Sequence, residues 1–239
     1  MSHVRAGRDI TTHNYFPYPA AGAADASASG VDSGAAEGGS LSTEQFVRHN
    51  VAPPFADFVD RRREQARIHR GLRKRGAIIS IYGMAGIGKS ALANKIAWQL
   101  TGESIRSRRG DAHATTRAAP AFDAVIWCDQ SARHMTLDEI LNTISFVLED
   151  TRAPLLPVAR KVEHVARNLN RERCLLVVDN FDDRYNSDLR HFLARIGSRS
   201  KVMITSRTVY SHDAWHVRIG SLNNRARLSM ISRRSIDWR

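Results

Sequence analysis

No stretch of this sequence stays apolar for long. The longest such runs cover five or six residues, at 77–82 and 174–178. A membrane-spanning helix needs about 20, so no span is expected. No apolar segment of signal-peptide type stands at the N-terminus, and a cytoplasmic chain is expected. Cysteine is scarce. Cys128 and Cys174 both sit in apolar runs and read as buried thiols in a reducing compartment, not as a disulfide. Acidic residues are in deficit: 24 Asp and Glu face 36 Lys and Arg, for a net charge of +12. That balance permits contact with nucleic acid or anionic membrane without demonstrating it. The first forty residues carry two arginines against four acids, so the positive excess lies after them. Aromatics make up only 7% of the chain. They do not interleave with basic residues as a base-stacking platform would, so a nucleic-acid-binding adaptor ranks last among the readings.

What is present is a β–α alternation inside a 239-residue chain. Residues 1–40 divide in two. Residues 3–19 contain Val4, Ile10, Tyr15, Phe16 and Tyr18, a composition open to docking on another protein by strand addition. Residues 20–40 are dominated by Ala, Gly and Ser and read as a flexible linker. A folded domain is expected over 41–220 and a basic tail over 221–239. Ser42 with Gln45 suggests a capped helix through Asn50, and residues 56–74 suggest a basic helix with Phe58, Ile68 and Leu72 as its apolar positions. Strands are expected at 77–82, 124–128, 174–178 and 201–205, and a fifth at 214–217. Helices are expected at 89–100, from a Thr136–Glu139 capping box onward, at 157–169 and at 187–196. Residues 101–120 read as a loop or insertion. Strands that are continuous apolar runs, alternating with amphipathic helices, imply an α/β fold with a parallel sheet flanked by helices.

Three strand ends carry the chemistry. Gly83-Met84-Ala85-Gly86-Ile87-Gly88-Lys89-Ser90 follows the first expected strand and, with Ala91, opens a helix. Such a glycine-rich turn aims successive backbone N–H groups at one phosphate-sized hollow, backed by the positive end of the helix. Lys89 would reach the β- and γ-phosphates and Ser90 would ligate Mg²⁺. The run Cys174-Leu175-Leu176-Val177-Val178 delivers Asp179 to a strand's carboxyl end, where ligands bind in open α/β sheets and where Asp can hold Mg²⁺. Asn180 occupies the next position, where an acid would activate water; Asp182 or Asp183 are the substitutes within reach in sequence. Thr205-Ser206-Arg207 ends the fourth strand, and the Arg207 guanidinium suits a γ-phosphate.

Together these segments resemble the nucleotide-binding domain of NB-ARC type, within the STAND class of signal-transduction P-loop NTPases, as in NOD-like receptors of innate immunity, plant resistance proteins and bacterial and fungal regulators. Phe58-Val59-Asp60-Arg61-Arg62-Arg63-Glu64 is similar to the family's leading motif. GMAGIGKS is similar to its phosphate loop, Val125-Ile126-Trp127 to its Trp-bearing strand, LLVVDNFDD to its metal-binding strand, and Ile204-Thr205-Ser206-Arg207 to its sensor. Asp60 stands where the leading motif has Gly, and Arg62 where it has its first Glu. The resemblance implies ADP in a resting state, ATP in an active one, Mg²⁺, and self-oligomerisation or docking to another signalling protein. It implies phosphate and metal roles for Lys89, Ser90 and Asp179, γ-phosphate sensing by Arg207, and a place near base and sugar for Val59 and Arg61. The family continues into a helical and a winged-helix subdomain, so this chain reads as truncated after the sensor strand. With Asn180 beside the metal carboxylate, hydrolysis is expected to be slow or absent. A free-standing ATPase of AAA-like type is the alternative.

Overall fold

The computed structural model describes residues 47–54, 58, 61–75, 78–102, 122–182, 184–185 and 187–221. The expected tail over 1–40, Val59, Asp183, nearly all of the 101–120 insertion and nearly all of the 221–239 tail lie outside them.

Six strands form one sheet: β1 (Arg48–His49), β2 (Ile78–Tyr82), β3 (Ala124–Asp129), β4 (Cys174–Phe181), β5 (Lys201–Ser206) and β6 (Trp215–Arg218). Their spatial order is β1-β3-β4-β5-β2-β6, and every pairing is parallel. The helices are α1 (Arg62–Leu72), α2 (Lys89–Leu100), α3 (Leu137–Val147), α4 (Val158–Arg171) and α5 (Ser187–Leu193). Strand side chains alternate between the two faces, and both faces are covered. Ile126, Cys128, Leu176, Val178 and Ile204 pack with α3, α4 and α5. Ile79, Ile81, Val125, Leu175 and Val177 pack with α1 and α2. Burial on both sides explains why these strands read as unbroken apolar runs. Both cysteines are free and buried, and burial pushes each thiol up to about 12, out of reach of thiolate chemistry. Among the described residues no helix is long and apolar enough to cross a membrane.

Three expectations need correction. Residues 47–50 are not the end of a helix, because Arg48 and His49 pair with Ala124 and Val125 as an edge strand. Arg48 also donates to the Leu148 carbonyl at 2.9 Å and pairs with Glu172. These partners lie far along the chain and override a local capping pattern. The basic helix begins at Arg62 rather than near 56, and Phe58, outside it, still packs against the α1–α2 core. Strand β4 continues to Phe181 instead of ending at Val178. By contrast, α2 occupies the expected 89–100, and the Thr136–Glu139 capping box closes in both directions.

Helix α1 is fixed by its apolar stripe and by one tryptophan. Ile68 and Leu72 are fully buried. Trp215 lies on Gly71, and its Nε1 donates to the Arg67 carbonyl at 2.9 Å. A Cβ at Gly71 would sit 2.5 Å from Trp215 Cδ1. Glycine-to-alanine changes inside helices ordinarily stabilise by about 1 kcal/mol. Here overpacking should dominate, at about 1–3 kcal/mol, so Gly71→Ala is expected to lower Tm in a thermal melt. A raised Tm would contradict the Trp215 contact.

Candidate functional site

The sheet order places three chemically active strand ends side by side. Strand β5 lies between β2, which feeds the glycine-rich loop, and β4, which carries Asp179. All three carboxyl ends point the same way because the strands are parallel.

The loop between β2 and α2 is held by backbone geometry that only glycine adopts freely. Gly83 has φ +152° and Gly88 has φ +95°, in the region where a side chain strains the backbone. A Cβ at Gly83 would also meet the Ile219 carbonyl oxygen at 2.6 Å. Gly88 is the N-cap of α2 and turns the chain directly into it. Met84, Ala85 and Gly86 are exposed, Ile87 and Ala91 are half-buried, and Lys89 is 8% exposed. The loop thus forms an open arch with the buried Lys89 ammonium beneath it. Lys89 Nζ donates to the carbonyls of Gly83 at 3.0 Å and Met84 at 2.9 Å. Burial pushes its pKa down; Asp179 opposes that shift and Arg207 adds to it.

Asp179 is 4% exposed. Burial pushes its carboxyl above the usual range, and the negative charge of Asp129 acts in the same direction. Hydrogen bonds from Thr205, Ser90 and the Asn180 N–H oppose this. Thr205 Oγ1 donates to Asp179 Oδ1 at 2.5 Å and accepts from the Asn180 N–H at 2.8 Å, so β5 braces the acid of β4. Asn180 has φ +59°, a left-handed conformation that Asn tolerates better than most residues. The β4–β5 register shifts between Val178 and Phe181. This bulge sits at the site's central carboxylate, the place where bulges commonly re-aim a side chain.

The oxygen donors fit a hard cation. Ser90 lies close enough to Asp179 to hold its carboxyl pKa down, and among the described residues no group of three or more His, Cys, Asp or Glu could form a protein cage. Mg²⁺ is held in this way, by one or two protein oxygens with waters and phosphates completing its shell. Asp182 is engaged elsewhere. Arg184 Nη2 and Nε donate to its two carboxylate oxygens at 2.7 and 3.1 Å and hold its pKa down to about 2. A carboxylate so paired is a weak base, and Asp183 lies outside the described residues.

Arg207 follows β5, is exposed, and makes no hydrogen bond among the described residues. Arg61 is placed differently from its surroundings in sequence. It is 6% exposed, and its Nη2 donates to the Ile87 carbonyl at 2.7 Å while Nη1 donates to the Gly220 carbonyl at 3.0 Å. It thereby ties the phosphate loop to the segment after β6. Two residues were missed in sequence. Asp129 is the register partner of Asp179 across β3 and β4; its signal was the same as that of Asp179, an acid closing an apolar run. Gln130 is 1% exposed with both side-chain amide atoms unpartnered, which no sequence pattern reveals.

A parallel sheet with a glycine-rich loop, a buried metal-type Asp and an Arg converging on its carboxyl edge defines the P-loop NTPase fold. Residues 64–215 match the NB-ARC domain family model, which is more than half of the chain. The chain therefore belongs to the NB-ARC family. It is 24% identical over 169 residues to the transcription activator GutR of Bacillus subtilis (strain 168), covering 69% of this chain and 19% of that protein. Among solved structures it resembles a STAND protein with a tetratricopeptide repeat sensor from Pyrococcus horikoshii, at TM-score 0.51 and 19% identity, over 79% of this chain and 27% of that one. It also resembles the Aeropyrum pernix ORC1 protein solved in complex with DNA, at TM-score 0.50 and 15% identity, over 75% of this chain and 50% of that one. At these identities the likeness shows the fold. The chain spans about a fifth of the length of its curated relative.

Proposed function

We propose that this domain is an ADP/ATP-binding switch module of NB-ARC type, with slow hydrolysis or none. The observation that carries the reading is the cluster formed by Lys89, Ser90, Asp179 and Arg207. The buried Asp179, braced by Thr205, and the buried Lys89, bonded to the loop carbonyls, stand at the carboxyl ends of neighbouring parallel strands, with the exposed Arg207 following β5 between them. The backbone N–H groups of the arch and the N-terminus of α2 would hold the β-phosphate, which ADP and ATP share. Lys89 would exchange its two carbonyl partners for phosphate oxygens. Mg²⁺ bound by Ser90 and Asp179 would neutralise phosphate charge. Arg207 would contact only what ATP adds.

The slow-turnover part of the proposal rests on two observations. The position beside Asp179 is an amide in a left-handed bulge of β4, and the next carboxylate in sequence, Asp182, is bound by Arg184. Neither offers a free base for water. Sustained multiple turnover in a phosphate-release assay would instead favour a free-standing ATPase.

The sensing role is tested by Arg207→Ala. A charge-assisted hydrogen bond contributes about 1.5–3 kcal/mol, so ATP affinity should fall about tenfold or more while ADP affinity holds. Equal losses for both nucleotides would overturn it.

A further inference from the structure

We infer that the exposed face of α1 is a binding surface for the phosphate backbone of duplex nucleic acid. The inference is independent of the nucleotide site.

Arg63, Arg67, Arg70 and Arg73 are all exposed. At 100° per residue they fall within an arc of roughly 120° and span about 15 Å of helix axis. A duplex presents one phosphate per strand about every 3.4 Å, so the row faces roughly four phosphates. The opposite side of α1 carries Ile68 and Leu72, both fully buried. The one acid of the helix, Glu64, is withdrawn from this face by pairing with the buried Arg61 at 3.3 Å. The side chains of Arg63, Arg70 and Arg73 make no hydrogen bond or ion pair among the described residues. Arg67 donates to the His216 carbonyl at 3.0 Å, which leaves its charge uncompensated. Strands β2 and β6 pack against α1 and helix α2 shares its core. None of the three contains an acid, and β6 adds the exposed Arg218.

Two physical points separate this row from an ordinary solvated face. Soluble surfaces interleave charges of both signs. Here like charges recur at spacings of four, three and three residues, an arrangement that destabilises a helix. A polyanion would relieve that repulsion. The row is also already positioned, because Trp215 closes on Gly71 and bonds the Arg67 carbonyl, while Lys74 Nζ sits 4.1 Å from the Trp215 ring centre. Little ordering is then left for binding.

The chemistry favours a duplex over other anions. The cations are arginines, whose planar fork matches phosphate. A membrane-surface helix needs an apolar face to insert, but the apolar face of α1 is in the core, and no exposed large apolar residue lies on α1. For the same reason it lacks the aromatic side chains that stack single-stranded bases. Contacts of this kind position a protein on a duplex without reading its sequence.

The test uses the full chain and a fluorescein-labelled 24-base-pair duplex of mixed sequence, read by anisotropy across about 50–200 mM salt. Four phosphate contacts predict a slope of log K against log salt of about −3.6. In the triple variant Arg63→Gln, Arg70→Gln, Arg73→Gln the slope should shrink by about 2.7, with ADP affinity unchanged. If the triple variant fails to fold, each single replacement should remove about 0.9. Absence of duplex binding by the wild type overturns the inference. So does an unchanged slope in the variants, which would place the contact elsewhere on the chain. Tighter binding to phosphatidylserine vesicles than to the duplex also overturns it. Duplex binding without ADP binding would leave this inference standing and remove the nucleotide switch.

Discussion

Lys89→Ala is expected to lower affinity for both ADP and ATP by at least about 100-fold in calorimetry. Lys89 is the one loop cation buried beneath the arch, and its ammonium already makes two hydrogen bonds, to the Gly83 and Met84 carbonyls. On binding, both donors turn to phosphate, and charge-assisted bonds of about 1.5–3 kcal/mol each correspond to at least about two orders of magnitude. The backbone cradle remains in the variant, so a weak residual affinity is consistent with the account. The fold should also survive. Burial already disfavours the charged Lys89, and Leu92, Ala93, Ile96 and Ala97, which seat α2, are untouched. Near-native affinity in a folded variant would mean that nucleotide binds elsewhere or not at all.

Asp179→Asn should separate stability from function. Burial raises the folded-state pKa of Asp179, so the folded protein favours the protonated acid. Its contribution to stability is most favourable below the unfolded carboxyl value of about 3.9. It declines as pH rises through the folded pKa, leaving a destabilising buried charge at neutral pH. Asparagine keeps an oxygen to accept from Thr205 Oγ1 and removes that charge. The nucleotide-free variant is expected to melt higher than wild type at pH 7, by about 2–4 °C if the gain is about 1 kcal/mol. The difference should vanish as pH falls toward 4. In the same variant, Mg²⁺ should no longer strengthen nucleotide binding. A lower Tm at pH 7, or an undiminished Mg²⁺ effect, would contradict the role assigned to this residue.

These two residues were legible in sequence because each is announced locally. Lys89 follows a strand-to-helix glycine turn, and Asp179 ends an apolar run, so the pattern of neighbours along the chain was enough. The helix α2 and the Thr136–Glu139 box were legible for the same reason. Features decided by distant partners were not. Arg48 and His49 form a strand only because β3 offers them an edge. The bulge at Asn180 depends on Thr205 of the next strand accepting its N–H, and nothing within LLVVDNFDD signals it. Asp129 gains its relevance from register with Asp179 across 50 residues of chain. The partners of Arg61 are distant too: its guanidinium bonds the Ile87 and Gly220 carbonyls, contacts that its place in the leading motif does not announce.

The charge of the chain changed meaning in the same way. Composition gave a net charge of +12 without a location, and nucleic acid ranked last for want of aromatics interleaved with basic residues. The fold pairs Glu64 with Arg61 and gathers four arginines on one fixed face, which turns a diffuse excess into a surface with a predicted salt slope.

The central claim is that the arch at 83–90 binds a nucleoside phosphate. Its most direct test is calorimetric titration of the nucleotide-free 239-residue chain with ADP and with Mg²⁺–ATP. The account predicts one saturable site per chain for each nucleotide, and its near-complete loss in Lys89→Ala. No heat of binding from either nucleotide at millimolar concentration, with the protein folded, would contradict it.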